Sequence, residues 1–215
     1  NGGVALDWVD LNDLVYAHIM FNNADYFNQS VSTWQLGSVQ TMNSMFSNNA
    51  RFNQDISNWD VSTVTTMRHM FRSSSVFNQD ISSWNVTNVT DFTDFIGYNY
   101  QFSQANYDLL LVAWDALNLV DGRTFRVEAY YTGCSAAATA RANIISNDSW
   151  TINDRGASAC PAPTLSSSAP ADNATAVGVN DNIVLTFDQA VDRESGNITI
   201  KKTSDDSTIE AIAVT

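Results

Sequence analysis

Met-Phe pairs stand at Met20/Phe21, Met45/Phe46 and Met70/Phe71, 25 residues apart, and the other conspicuous features of the N-terminal half keep the same step. Phe-Asn-Gln recurs at residues 27–29, 52–54 and 77–79, and tryptophan at Trp34, Trp59 and Trp84. A strict period of this length implies stacked coils, because one coil cannot bury its own apolar face and is stable only against its neighbours. Function in such an array belongs to a surface.

Within one period the apolar residues are Ile56, Trp59, Val61, Val64, Met67, Met70, Phe71 and Phe77. This follows leucine-rich-repeat spacing, with Trp, Val and Met in place of most leucines. The step of two from Trp59 to Val61 predicts a strand, and the steps of three through Val64, Met67 and Met70 predict a short helical or 3₁₀ segment. The expected fold class is an α/β solenoid, a leucine-rich-repeat array of 25-residue coils over residues 1–106. Val9, Leu11, Leu14, Ala17 and Met20 match the second half of a period, and Phe102, Leu111, Trp114 and Leu117 continue it loosely, for about four to five coils. Each large buried side chain contributes roughly 1.5–3 kcal/mol, and strands about 4.8 Å apart give a sheet on the order of 20 Å wide. Asn28, Asn53 and Asn78 share one phase. They are expected to bond to the backbone of the adjacent coil, the alternative being a ligand ladder. The Trp and Met columns read as core rather than as a sugar-stacking platform.

From residue 107 to 160 the pattern changes to a predicted helix over 107–117, a strand over 124–131, an Ala-rich helix over 135–146 and a strand over 150–153. These residues are expected to cap the last apolar coil. Cys134 and Cys160 close a loop within this segment and read as a disulfide, worth about 3–4 kcal/mol in the chain-entropy model, in an oxidising compartment. Buried free thiols are the alternative. Metal binding is disfavoured because His18 and His69 lie far away, in the repeats.

The run at residues 52–62, Phe-Asn-Gln-Asp-Ile-Ser-Asn-Trp-Asp-Val-Ser, and its counterpart at 77–86 resemble the repeat of BspA-like leucine-rich-repeat surface proteins of bacteria and some protists. The resemblance covers about residues 9–96, with Ser30 in place of the usual Asp. The cap, with Arg141 and Trp150-Thr151-Ile152, resembles the segment that closes such arrays. The resemblance implies an exported adhesin-type protein at the bacterial cell surface and transfers no catalytic residue.

Residues 161–170 hold all three prolines and the run Ser166-Ser167-Ser168, which reads as a linker. Alternating Ile183, Leu185 and Phe187, then Ile198 and Ile200, then residues 208–214, predict the start of a β-sandwich. Ser168-Ala169-Pro170-Ala171-Asp172, and the strand phrases over 182–187 and 195–200, are similar to bacterial Ig-like domains of the SbsA type. A sandwich takes about 100 residues, so residues 161–215 are expected to form a partial domain whose open edge invites strand-swapped self-association. Asn1-Gly2-Gly3 is no signal sequence, so the chain is expected to begin in mid-protein.

Composition narrows the partners. The chain carries 23 Asp plus Glu against 10 Lys plus Arg, for a net charge of -13, which argues against nucleic acid or an anionic membrane. Glu is confined to Glu128, Glu194 and Glu210; the excess of Asp suits loops and hard cations. Asp172, Asp181, Asp188 and Asp192 are therefore candidate Ca²⁺ ligands. No apolar stretch reaches the about 18 residues that a membrane helix needs.

Strand alternation at Trp-x-apolar points Asp10, Gln35, Asp60 and Asn85 outward as one row, flanked by Thr33, Asn58 and Ser83 on one side and by Gly37, Ser62 and Thr87 on the other. Such a face suits hydrogen bonding to a host or neighbouring-cell protein, peptide or glycan. Arg51, Arg68, Arg72 and His69 cluster on the opposite side, within reach of Asp80 or Asp94. The leading expectation is the ligand-binding region of an adhesin, and the alternative is a structural spacer. No Gly-x-Ser-x-Gly, His-Glu-x-x-His or phosphate loop is present, so enzymatic activity is not expected. An ice-binding face is disfavoured, because its Thr and Ser rows are interrupted by Asp and Asn.

Overall fold

The computed structural model describes Leu11 and residues 13–159, 164–171, 184–187, 196–201 and 208–214. The chain divides into two compact units, Asn1–Cys160 and Pro161–Thr215.

In the first unit the period becomes a succession of tight turns. Within one coil, the amides of Trp59, Val64, Met70, Arg72, Ser74 and Phe77 bond to the carbonyls of Ile56, Val61, Met67, His69, Phe71 and Ser74, three residues back, at 2.9–3.1 Å. The coil therefore differs from the expected strand plus helix. A β-turn brings residues i and i+3 together, so the steps of three mark turn ends that share the inner side, and no helix forms between Leu14 and Phe102. The β-pairing is also displaced. Single parallel bridges join Tyr16 to Thr41, Thr41 to Thr66 and Thr66 to Asp91, away from the expected strand at Trp59–Val61.

Adjacent coils are tied by backbone bonds on alternate residues. The amides of Ala17, Ile19, Phe21 and Asn23 donate to the carbonyls of Thr41, Asn43, Met45 and Ser47. Met42, Ser44, Phe46 and Asn48 donate likewise to Thr66, Arg68, Met70 and Arg72, and Met67, His69, Phe71 and Ser73 to Asp91, Thr93, Phe95 and Gly97. Most intervening amides are spent on turns within the coil, as Met45 and Met70 bond to Met42 and Met67 O, whereas the amides of Gln40, Thr65 and Thr90 donate back to Val15, Gln40 and Thr65 O of the preceding coil, and Arg68 N to Asn43 Oδ1. Left-handed residues recur at Ile19, Ser44, His69 and Asp94 and at Asn23, Asn48, Ser73 and Tyr98.

The apolar columns are core, as their recurrence implies. Val31, Leu36, Met42, Phe46, Ile56, Val64, Met70 and Phe77 are fully buried. Trp34, Trp59 and Trp84 stack at 6.2 and 6.3 Å with rings within 6° of parallel. The indole N–H of Trp59 and Trp84 donates to Val31 and Ile56 O, both at 3.0 Å. The Asn column runs from coil to coil: Asn28 and Asn53 Oδ1 accept from Asn53 and Asn78 N at 3.0 and 2.8 Å. Asn78 Oδ1 accepts from Ser103 N at 2.8 Å. This ladder lies at the surface, where Gln54 and Gln79 reinforce it. A second set, Asn49, Ser74 and Asn99, is the buried one: Asn49 Oδ1 accepts from Phe52 N at 3.0 Å, and Asn99 Nδ2 donates to Phe77 O at 2.8 Å.

The last coil meets helices α1 (Gln104–Asp115) and α2 (Ala136–Asn147), N-capped by the Ser103 and Ser135 hydroxyls. Strand β1 (Thr124–Arg126) pairs in parallel with β3 (Thr151–Asn153), and β2 (Tyr131–Thr132) with β4 (Ala157–Ser158). An Ile96–Val127 bridge joins the last coil to the end of β1. Trp114, Phe125 and Trp150 cover Phe92 and Phe95 of that coil, with ring centroids 5.2–6.3 Å apart. Behind them Asp154, almost fully buried, accepts from Arg141 at 2.6 Å and from the Tyr107 hydroxyl at 2.8 Å. Burial, then the Asp154 carboxylate, pushes the Tyr107 hydroxyl well above its usual pKa. No free cysteine occurs among the described residues, and Cys160 lies outside them.

In the second unit β5 (Leu165–Ala169) pairs antiparallel with β6 (Val184–Phe187), and β7 (Gly196–Lys201) with β8 (Thr208–Val214). Residues 165–169, expected in a linker, are thus a strand. The candidate calcium ligands Asp172, Asp181, Asp188 and Asp192 lie outside the described residues.

Candidate functional site

The outward row is placed by turns rather than by strands. Gln35, Asp60 and Asn85 are exposed at one phase in three successive coils, beside exposed Thr33, Asn58 and Ser83. Gly37, Ser62 and Thr87 follow on the other side, and Asp10 lies outside the described residues. Each polar group first serves its own loop. Asp60 Oδ1 accepts from Ser62 N at 3.0 Å, and Asn85 Oδ1 from Thr87 N at 3.2 Å and the Thr87 hydroxyl at 2.8 Å. These are Asx turns. The same geometry recurs at Asp55 and Asp80 with Ser57 and Ser82. The Ser62 hydroxyl and amide hold Asp60 below the ordinary carboxylate range, and the Ser57 amide and hydroxyl do so for Asp55. Gln35 Nε2 reaches Thr33 O, and the Ser83 hydroxyl donates to Ser57 O at 2.8 Å. What stays available is short and polar: Asp60 Oδ2, Asn85 Nδ2, the Asn58 amide and the Thr33 hydroxyl.

A second polar site, absent from the sequence reading, forms where the last coil meets the cap. Thr93, Asp94, Thr124, Arg126, Glu128, Asn153 and Asp154 line a cleft of about 350 Å³. Asp94 lies 3.6 Å from Arg72, 3.8 Å from His69 and 3.9 Å from Arg126, which also binds Glu128 at 2.8 Å. The Tyr98 ring is held between two guanidinium groups, Arg72 at 4.6 Å and Arg126 at 4.2 Å. Arg72 and His69 thus meet Asp94 as expected. Arg51 instead lies over Tyr26. Desolvation, then the Arg68 charge, lowers the His69 pKa. A methyl group at Gly97 would stand 3.0 Å from Asp94 Cβ, so the absence of a side chain there admits the carboxylate. The one hint in the sequence is the change from Ser44 and Asn48 to Asp94 and Tyr98 at equivalent phases.

Among the described residues no group of three or more His, Cys, Asp or Glu is arranged to hold a metal ion, and no helix is long and apolar enough to cross a membrane. No curated protein and no solved structure matches the chain. Residues 5–109 match the family described as Mycoplasma protein of unknown function, DUF285. Residues 160–215 match a bacterial Ig-like domain, so the chain joins a DUF285-like repeat region to an Ig-like one.

Proposed function

We propose that this chain is the ligand-binding region of a bacterial cell-surface adhesin, in which a short leucine-rich-repeat-type solenoid presents its polar turn face to a protein, peptide or glycan. The observation that carries the reading is the register: Gln35, Asp60 and Asn85, with Thr33, Asn58 and Ser83, repeat in adjacent coils as two exposed rows. Short hydroxyl, amide and carboxylate groups on a rigid scaffold form hydrogen bonds at little entropic cost. The bacterial Ig-like match supports a multidomain extracellular setting. A Cys134–Cys160 disulfide closing the cap fits that setting, and any calcium bound through Asp172, Asp181, Asp188 and Asp192 would belong to the Ig-like unit.

The Asx turns favour a second reading, a spacer with no ligand of its own, because they give Asp60 and Asn85 a purely local task. Peptide and glycan arrays probed with the whole chain, with millimolar calcium and with chelator, separate the two. On the adhesin reading, specific binding is lost when Asn58→Arg, whose side chain makes none of the Asx-turn bonds, blocks the face. Absence of specific binding under both conditions leaves the spacer.

A further inference from the structure

On the coils the hydroxyls of Thr63, Thr65, Thr66 and Thr90 are each spent on the preceding coil. The cleft between the last coil and the cap differs. There the Thr93 and Thr124 hydroxyls and the Asn153 side-chain amide bond to nothing among the described residues. The Asp94 carboxylate is open in the same way: Arg72, His69 and Arg126 stand 3.6–3.9 Å from it, close enough to orient it by charge and too far to fill its lone pairs. Arg126 is turned aside, with Nε and Nη2 on Glu128 Oε1 and Nη1 on the Tyr98 hydroxyl. Asp154, by contrast, is filled by Arg141, the Tyr107 hydroxyl and Gly156 N. The cleft therefore offers one oriented carboxylate, Glu128 Oε2, two hydroxyls and one amide. It belongs to the last coil alone, because Asp94 and Gly97 replace Ser44 and Ser47, or His69 and Arg72, at the same phases.

We propose that this cleft binds a single neutral sugar residue, held by its hydroxyls, at a site separate from the polar turn face and independent of whether that face has a ligand. The lining selects the occupant by exclusion and by fit. Every side chain that lines the cleft is polar, so an apolar group gains nothing there. An anion meets the carboxylates of Asp94 and Glu128, and a cation meets Arg126 and Arg72, which already balance Asp94. A neutral ligand rich in hydroxyls opposes neither. Each sugar hydroxyl both donates and accepts: two adjacent ones can donate to the two oxygens of Asp94, while others exchange bonds with the Thr93 and Thr124 hydroxyls and the Asn153 amide. A volume of about 350 Å³ lies at the small end of ligand sites and suits one ring rather than a chain. Both faces of Tyr98 are taken by guanidinium groups, so the sugar is held at its edges without stacking on that ring, and its affinity is modest.

The test titrates the whole chain, labelled with ¹⁵N, with glucose, galactose, mannose and N-acetylglucosamine and follows amide shifts by NMR. Saturable 1:1 binding of at least one of them is expected, with Kd on the order of millimolar, and with glucosamine and glucuronic acid, the charged counterparts of glucose, binding more weakly than the best neutral sugar. Thr93→Val with Thr124→Val removes two hydroxyls that no bond of the fold uses, so the unfolding midpoint is retained while binding weakens by about tenfold or more. Asn153→Ala weakens it by about three- to tenfold, and Asn58→Arg on the turn face leaves it unchanged. Absence of saturable binding by all four sugars, a charged counterpart or the peptide mimic N-acetylglycinamide binding as tightly as the best of them, full binding by the Thr93→Val, Thr124→Val chain, or loss through Asn58→Arg overturns the proposal.

Discussion

Ile19, Ser44, His69 and Asp94 occupy one phase and all have positive φ, between 48° and 58°. None is glycine, and Ile19 is β-branched, so its Cβ is crowded by its own backbone. Its side chain is mostly exposed and little packing depends on it. Ile19→Asn is therefore expected to stabilise the first unit by about 1 kcal/mol, read as a higher urea midpoint at unchanged slope. The Asx residues give a second expectation. The hydrogen bonds from Ser57 and Ser62 hold Asp55 and Asp60 below the ordinary carboxylate range in the folded protein, so each contributes stability that is present above its unfolded pKa and lost as pH falls through the folded one. The effect is small because both carboxylates are exposed to solvent. NMR titration of the side-chain carboxyl carbons should place both below free Asp, and Ser57→Ala with Ser62→Ala should move both back up.

At the scale of elements, the cap depends on one buried ion pair. Asp154 receives Arg141, the Tyr107 hydroxyl and Gly156 N, and it joins α1, α2 and the loop after β3. Asp154→Ala leaves Arg141 unpaired and should cost about 3–5 kcal/mol, while Asp154→Ala with Arg141→Met should cost less than Asp154→Ala alone, as measured by urea unfolding of the whole chain. The elements were unequally legible. The helices are near their expected places because their apolar spacing is unambiguous and serine stands at both N-caps. The coils were misread locally because turn ends and helix faces share a step of three. The bridging positions Thr41, Thr66 and Asp91 are polar and carry no apolar alternation to betray them. The left-handed positions hold Ser, His, Asp, Asn and Tyr, so no glycine marked them. The row at Gln35, Asp60 and Asn85 was legible from its period alone, whereas Asp94, Tyr98, Arg126 and Glu128 come together only through the docking of the cap on the last coil.

For the molecule as a whole, a charge of -13 on 215 residues sets the background to every local interaction. The first unit gathers several of its cations, Arg72, Arg126 and Arg141, into pairs with Asp94, Glu128 and Asp154, which leaves most carboxylates repelling one another through solvent. Raising ionic strength from about 0.01 to 0.15 M shortens the screening length from about 30 to about 8 Å. The thermal midpoint of the first unit should rise over that range, because more repulsion than attraction is screened. A fall on adding salt, followed by circular dichroism, would show that the ion pairs outweigh the net charge.

The tryptophan column also makes the coil array its own optical gauge. Three indoles in near-parallel planes, 6.2 and 6.3 Å apart, are close enough for their excited states to couple and for excitation to pass among them before emission. Coupled transitions of this kind give a paired near-ultraviolet dichroic band that disappears when neighbouring coils separate by a few ångströms. Parting of a single pair of coils is thus visible in the unlabelled protein, even while the turns within each coil persist.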